Sequence, residues 1–400
     1  MNSAPSPLTA TSFSTALPTL GLLTMVFFAN FLARTLFGPL LLSISQDMGQ
    51  TLARSATIFF FLSGGYSCSV MFAGILSARL GHKRTIVVSA AGLGLGLLGL
   101  ATTQCFEVFL TWICCIGLSA GLYMPSGVVT ITETTAQSLW GKAFSVHELG
   151  PNASFILAPL LAELFVSTWG YPLLFTVLGC ACLGLALVYN LHGPQTSRPG
   201  VPPKLTHIRT ITHRPAFWIM AMFFVLAVGL EVGIYNLTPA FLVTEKGLNR
   251  EDANIILSCS RLLSLAFLPT AGWIIQRVGY RASLAGYLSG AAITTLLAGH
   301  GPLWWTIAML SLQPVFVVSF FPVGFAVLAL VCPRSTSDLS VSLTIMCSSL
   351  LGSGLIPIVL AWTGEHASFV LAFTVCGALM LMASLAGVWC LRIPPTESSL

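Results

Sequence analysis

A backbone that crosses lipid must satisfy its own peptide groups, which leaves only helices and closed barrels. This chain offers the first solution twelve times over. Apolar runs of about the 20 residues a spanning helix needs lie near 18–44, 54–78, 85–103, 108–132, 142–166, 172–191, 216–243, 252–276, 282–299, 304–331, 339–362 and 368–391. Almost nothing is left over for a soluble domain. Only 7% of the residues are charged, where soluble domains carry about a quarter. The expected class is therefore an all-α, multi-pass membrane protein whose bulk partner is the lipid bilayer. The eleven cysteines are an odd number and sit mostly in apolar runs, for example Cys114, Cys115 and Cys180, so they read as small buried hydrophobes.

A net charge of +5 raises the question of nucleic acid, but the basic residues follow a topological pattern instead. With the N-terminus inside, Arg79, Lys83, Arg84, Lys142, Arg198, Lys204, Arg209, Arg214, Arg277, Arg281, Arg334 and Arg392 fall on cytoplasmic connections, against Arg54, Lys246 and Arg250 outside. This asymmetry satisfies the positive-inside rule. It predicts both termini in the cytoplasm, in a bacterial inner membrane, and no nucleic-acid partner. Residues 1–17, rich in Ser, Thr and Pro, read as a short cytoplasmic tail and not as a cleaved signal, because the run that follows is too long for one. Residues 392–400 read as a second tail.

The chain also repeats itself. GILSARLGHKR (74–84) returns as GWIIQRVGYR (272–281) after a shift of 198 residues; the same shift carries Gly49 onto Gly247 and Pro159 onto Pro357. Two six-helix bundles result, 18–191 and 216–391, joined by a Pro-rich, basic linker at 192–215. The spacing of Gly74, Leu76, Arg79, Gly81, Lys83 and Arg84 between spans 2 and 3, echoed between spans 8 and 9, resembles the loop signature of the major facilitator superfamily. The resemblance extends over the whole chain through helix count, half-repeat and linker. It departs from the family at Ala78 and Gln276, where an acidic residue is usual, and Glu133 is the available partner for Arg79. The resemblance implies two pseudo-symmetric bundles around a central cavity, with spans 1, 2, 4, 5, 7, 8, 10 and 11 lining it and this loop acting in gating.

The charges inside the membrane agree with that implication. Spans 3, 6, 9 and 12 contain no Asp, Glu, Lys or Arg, whereas Arg34, Glu148, Glu231 and Arg261 lie on spans 1, 5, 7 and 8. Each charge near a span centre costs about 2.5–3.5 kcal/mol on insertion scales, so these residues line a wet path, pair with one another, or both. A rise of about 1.5 Å per residue places Arg34, Glu231 and Arg261 at similar depth. Asn30 lies one turn below Arg34, and Tyr235 follows Glu231 by one turn. Glu231 and Arg261 can form a salt bridge within the second half, or Glu231 can meet Arg34 across the cavity. Nearer the cytoplasm, SVHELGPN (145–152) offers His147, Glu148 and Asn152 for ion coupling, since imidazole and a desolvated carboxylate both titrate near neutrality. Tyr66, Tyr123 and Gln313 are further polar candidates; packing explains each of them equally well.

Other motifs fail on context. Gly94-x-Gly96-x-x-Gly99 matches a dinucleotide fingerprint but lies inside span 3, where helix packing explains it better. No catalytic triad, metal-ligand cluster or phosphate loop is visible, so neither enzyme activity nor a cofactor is expected. Arginine presents a planar fork to carboxylate or phosphate, and FLARTLFGPLLLSISQDMG in span 1 is similar to the first span of anion:cation symporters. The expectation is a monomeric secondary transporter of a small organic anion, coupled to H⁺ or Na⁺, with a drug or metabolite efflux pump as the alternative.

Overall fold

The computed structural model describes residues 13–391 except 198, 201–204, 268–269 and 333–336. The tails expected at 1–17 and 392–400 lie outside this range apart from 13–17, which already belong to the first helix, Phe13–Thr35. Arg198, Lys204, Arg334 and Arg392 also lie outside it.

Ten helices among the described residues are long and apolar enough to cross a membrane. Two further helices, Arg250–Phe267 and Thr270–Ala298, carry spans 8 and 9, and the second passes through Gly279 at φ 79° and ψ 168°, a conformation no helix contains. Span 8 therefore ends just before Gly279 and span 9 begins just after it, in keeping with the twelve apolar runs of the sequence. Gly81, at φ 81°, separates spans 2 and 3 in the same way. Gly49 and Gly247 match equally, at φ 58° and 69°. Residues 198 apart thus share a backbone conformation that favours glycine, and the sequence repeat is a repeat of turns.

Small residues let the helices approach. A side chain on Gly94 would stand 2.8 Å from the Gly179 carbonyl, and one on Gly179 would stand 3.0 Å from the Gly94 carbonyl. The glycine run of span 3 is a packing seam against span 6, as its context predicts.

With six spans per half, the start of span 1, the linker and the end of span 12 share one side, called here the linker side; the other is the far side. Described packing between the halves pairs span 1 with 7, span 2 with 11 and span 5 with 8. On the far side two carboxylates fasten the halves. Glu163, at the end of span 5, accepts from Arg250 Nε and Nη2 at 2.9 and 3.0 Å and from Asn254 at 3.2 Å, at the start of span 8. Glu365, at the end of span 11, accepts from the Ala53 amide at the start of span 2 at 2.8 Å. The two contacts are related by the pseudo-symmetry of the repeat. On the linker side, Trp140–His147 of span 5 packs on spans 1 and 4 of its own half. The linker itself docks on the first half: Ser197 donates its amide and hydroxyl to Glu133 at 2.8 and 3.3 Å, and Gly200 lies against Gly74, Ser77 and Ala78.

Five cavity helices depart from one regular helix part-way along their length among the described residues. Span 1 is divided at Leu36, span 4 at Leu122 and span 5 at Glu148, each between consecutive helices and each with right-handed helical φ and ψ. Spans 7 and 11 instead carry π-helical turns, Gly229–Gly233 and Ser348–Leu355. The two turns face each other, and Gly352 packs against the Val225 carbonyl and the Gly229 amide.

Candidate functional site between the halves

Arg34 ends the first helix of span 1 and opens onto a cavity of about 70 Å³ between the halves. Its guanidinium carbon lies 4.2 Å from the centre of the Phe31 ring and 4.7 Å from that of Tyr66, two cation–π contacts. Its Nε donates to the Asn30 carbonyl at 3.4 Å. Phe59 and Phe155 add further aromatic wall, Ser63, Ser349 and Ser353 supply hydroxyls, and Asn236 an amide. No carboxylate is among the described lining residues. Among the described residues the charge of Arg34 is thus met by ring faces and polar groups, Tyr66 included, and by no carboxylate.

Arg261 sits beyond Phe155, in a separate space of about 10 Å³ with Asn152, Glu231 and Ser264. The expected salt bridge with Glu231 is not formed among the described residues. Arg261 Nη2 donates instead to the main-chain carbonyl of Glu231 at 3.3 Å. That carbonyl also accepts the Ile234 amide, so the guanidinium is its second donor within the π turn. Gln313 serves the neighbouring carbonyl of Leu230 at 2.7 Å. The Arg261 guanidinium also stacks on Tyr235 at 4.7 Å and on Phe155 at 5.1 Å.

The other expected residues divide clearly. Tyr66 lines the Arg34 cavity, and Tyr235 joins the halves by donating to the Phe155 carbonyl at 3.2 Å. That carbonyl is available because Pro159, four residues on, has no N–H to offer it. Asn30, Tyr123 and Gln313 do not reach either cavity. Asn30 donates to the Ala120 carbonyl at 3.0 Å, tying span 1 to span 4. Tyr123 donates to the Leu23 carbonyl at 2.8 Å and lies 2.9 Å from His147 Nε2. Its single proton is thus committed, so His147 must donate from Nε2, and its buried Nδ1 is left without a partner. His147 also stacks on Phe27 at 4.2 Å. It is wedged within the first half, while adjacent Glu148 is exposed and close enough to Glu231 for their charges to interact. Asn152 binds back to the Glu148 carbonyl at 2.8 Å and lines the Arg261 space. In the loop signature, Gly81 supplies the turn, Arg79 and Arg84 are exposed, and Glu133 holds the linker at Ser197.

Arg34 and Glu231 do not meet, since Phe155 stands in the wall of both spaces. Sequence reasoning did not single out Phe155, which looks like any core aromatic, or the far-side carboxylates. Their one signal was pseudo-symmetry: Glu163 and Glu365 end the related spans 5 and 11.

Comparison with known proteins agrees with this architecture. The sequence model of the Major Facilitator Superfamily matches residues 23–253 and 230–400. The chain belongs to that superfamily. It is 24% identical over 287 residues to the probable nitrate/nitrite transporter NarK2 of Mycobacterium tuberculosis, covering 70% of this chain and 72% of the relative. It is 21% identical over 291 residues to the multidrug resistance protein MdtL of a Shewanella species, covering 71% and 73%. A crystal structure of the peptide transporter POT in complex with sulfate superposes with a TM-score of 0.77 at 14% identity, covering 93% and 94%. That likeness concerns the fold. As a member of this superfamily the chain is a multi-pass membrane transporter and not an enzyme.

Proposed function

We propose that this transporter moves a small organic anion, of carboxylate or phosphate type, by alternating access coupled to protons. The observation that carries the reading is Arg34, a permanent charge facing an inter-half cavity whose described lining contains no carboxylate. A substrate that neutralises such a charge recovers what its burial costs, and substrates of this architecture bind near the midplane between the repeats. The similarity to NarK2 supports an anionic cargo. Glu148, exposed and within electrostatic reach of Glu231, is the proposed coupling group, with His147 fixing the end of its helix. The bundles at 18–191 and 216–391 are the moving units, with the termini and the linker in the cytoplasm of a bacterial inner membrane.

Thermal denaturation of the purified protein with formate, acetate, nitrate or phosphate tests the reading, since a ligand bound only by the folded state raises its stability. Arg34→Lys keeps the charge but loses the fork, and should weaken affinity roughly ten- to a hundredfold. If Arg34→Ala is stabilised by these anions as well as the parent is, the anion reading is wrong. The aromatic walls, and the similarity to MdtL, favour a second reading as an efflux pump for an uncharged compound. Dye extrusion that survives Arg34→Ala would support it.

A further inference from the structure

The two arginines are each equipped for an anion, yet a single side chain divides them. Phe155 forms part of the wall of the Arg34 cavity and of the Arg261 space. Its ring packs edge-on against Tyr235 at 5.0 Å and against Phe31 at 6.2 Å. Phe155 belongs to the first half and Tyr235 to the second, and the Tyr235 hydroxyl holds the Phe155 carbonyl. Movement of one half against the other therefore acts directly on this ring.

Arg261 has unused binding capacity. It is 5% exposed, yet its Nε has no hydrogen-bond partner. Among the described residues its one hydrogen bond to protein, from Nη2 to a carbonyl at 3.3 Å, is long for a charged donor. The space beside it, at about 10 Å³, is near the lower limit for a single water molecule. The Arg34 cavity, at about 70 Å³, has roughly half the volume of an engineered apolar cavity that accepts benzene. In this conformation one compartment has room for a few non-hydrogen atoms while the other is collapsed.

We propose that the substrate is a compact oxyanion that occupies two stations in succession, one at Arg34 and one at Arg261, and that the Phe155 ring is the shutter between them. This rests on the anion reading above and replaces a single two-arginine clamp with a relay. As the halves rock, the Tyr235 contact turns the ring aside, the Arg261 space opens, and the anion exchanges one guanidinium for the other. The size of the Arg34 compartment, bounded by Phe155, sets the upper limit on the cargo.

The test uses the full-length protein in lipid nanodiscs and proteoliposomes, with formate and nitrate as small probes and benzoate as a large one. Arg34→Gln should weaken equilibrium binding of the small probes by at least about tenfold, the loss of one charge-assisted contact. Arg261→Gln should leave that binding nearly unchanged and abolish counterflow exchange. Should Arg261→Gln not fold, Arg261→Lys, which keeps a charge at the second station, should bind normally and exchange slowly. Phe155→Ala should fuse the compartments and admit benzoate, which the parent excludes, whereas Phe155→Leu should not. Equal loss of binding in the two arginine variants would reveal one shared clamp and overturn the relay while leaving the anion reading intact. So would a size limit that Phe155→Ala does not change. Failure of both small probes to bind the parent would remove the anion reading, and the relay with it.

Discussion

Glu163→Gln should unlock the far side. The carboxylate receives two parallel bonds from Arg250, at 2.9 and 3.0 Å, and a third from Asn254 at 3.2 Å. A buried charge-assisted bond contributes about 1.5–3 kcal/mol, whereas an exposed ion pair contributes about 0–1 kcal/mol. The Glu163 and Arg250 side chains are 15% and 32% exposed, so the pair falls between these limits. About 1–2 kcal/mol is a reasonable figure for its coupling, allowing for the hydration still open to Arg250. All of it favours the conformation closed on the far side, because the partners belong to different halves. Losing it should shift the balance toward the far-open conformation by roughly 5- to 30-fold. Hydrogen–deuterium exchange in nanodiscs reads this directly: amides in the last turn of span 5 and the first turn of span 8 should lose protection by a similar factor. Adding Arg250→Gln should cost less than the sum of the single effects, since no unpaired charge then remains. Unchanged exchange in Glu163→Gln would show that the pair is incidental to closure.

Three further outcomes are expected. Gly38→Ala places a methyl group 2.7 Å from Asn236 Oδ1 and 2.8 Å from its Cα, across the half boundary; overpacking of about 1–3 kcal/mol should again open the far side, visible as faster exchange in span 7 without a fall in overall melting temperature. Glu148→Gln should preserve substrate exchange across proteoliposomes but abolish uptake driven by a pH gradient, and equal loss of both would make Glu148 structural. A cysteine at Ser197, in a background without exposed native thiols, should resist an impermeant reagent added outside intact cells; its labelling there would reverse the orientation.

Sequence patterns carried the fold a long way because each span is separately long and apolar, and because the turns of the two halves repeat. The identity of the cavity helices was legible for the same reason: a charge within lipid is costly enough to mark the helix that carries it. The arrangement of those charges was not legible. Placing Glu231 opposite Arg261 assumed an unbroken helix, whereas span 7 carries a π turn there and the guanidinium reaches the Glu231 main-chain carbonyl, and no local signal distinguishes a π turn in span 7 from ordinary apolar helix. Asn30, Tyr123 and Gln313 looked like cavity contacts because polar groups in spans are scarce; packing shows that they join helices within a bundle. Phe155 was hidden for the opposite reason, being one aromatic among the many that any membrane bundle buries.

The π turn of span 7 links the chemistry of the site to the mechanics of the helix. In an intact α-helix each carbonyl is retained by the amide four residues on, so a bound anion has no hold on the backbone. Here the Glu231 carbonyl accepts the Ile234 amide and, as a second donor, Arg261 Nη2 from another helix. An anion that draws the guanidinium toward itself also takes that donor from the backbone. The turn then keeps only its main-chain donor and is freer to revert toward α-helical register, and each residue of register change rotates the far part of span 7 by about 100°. That part carries Tyr235 and Asn236, which touch Phe155 and Gly38 in the opposite half. Occupancy at a single guanidinium would in this way be converted into torque on the far gate, with the peptide chain itself as the lever.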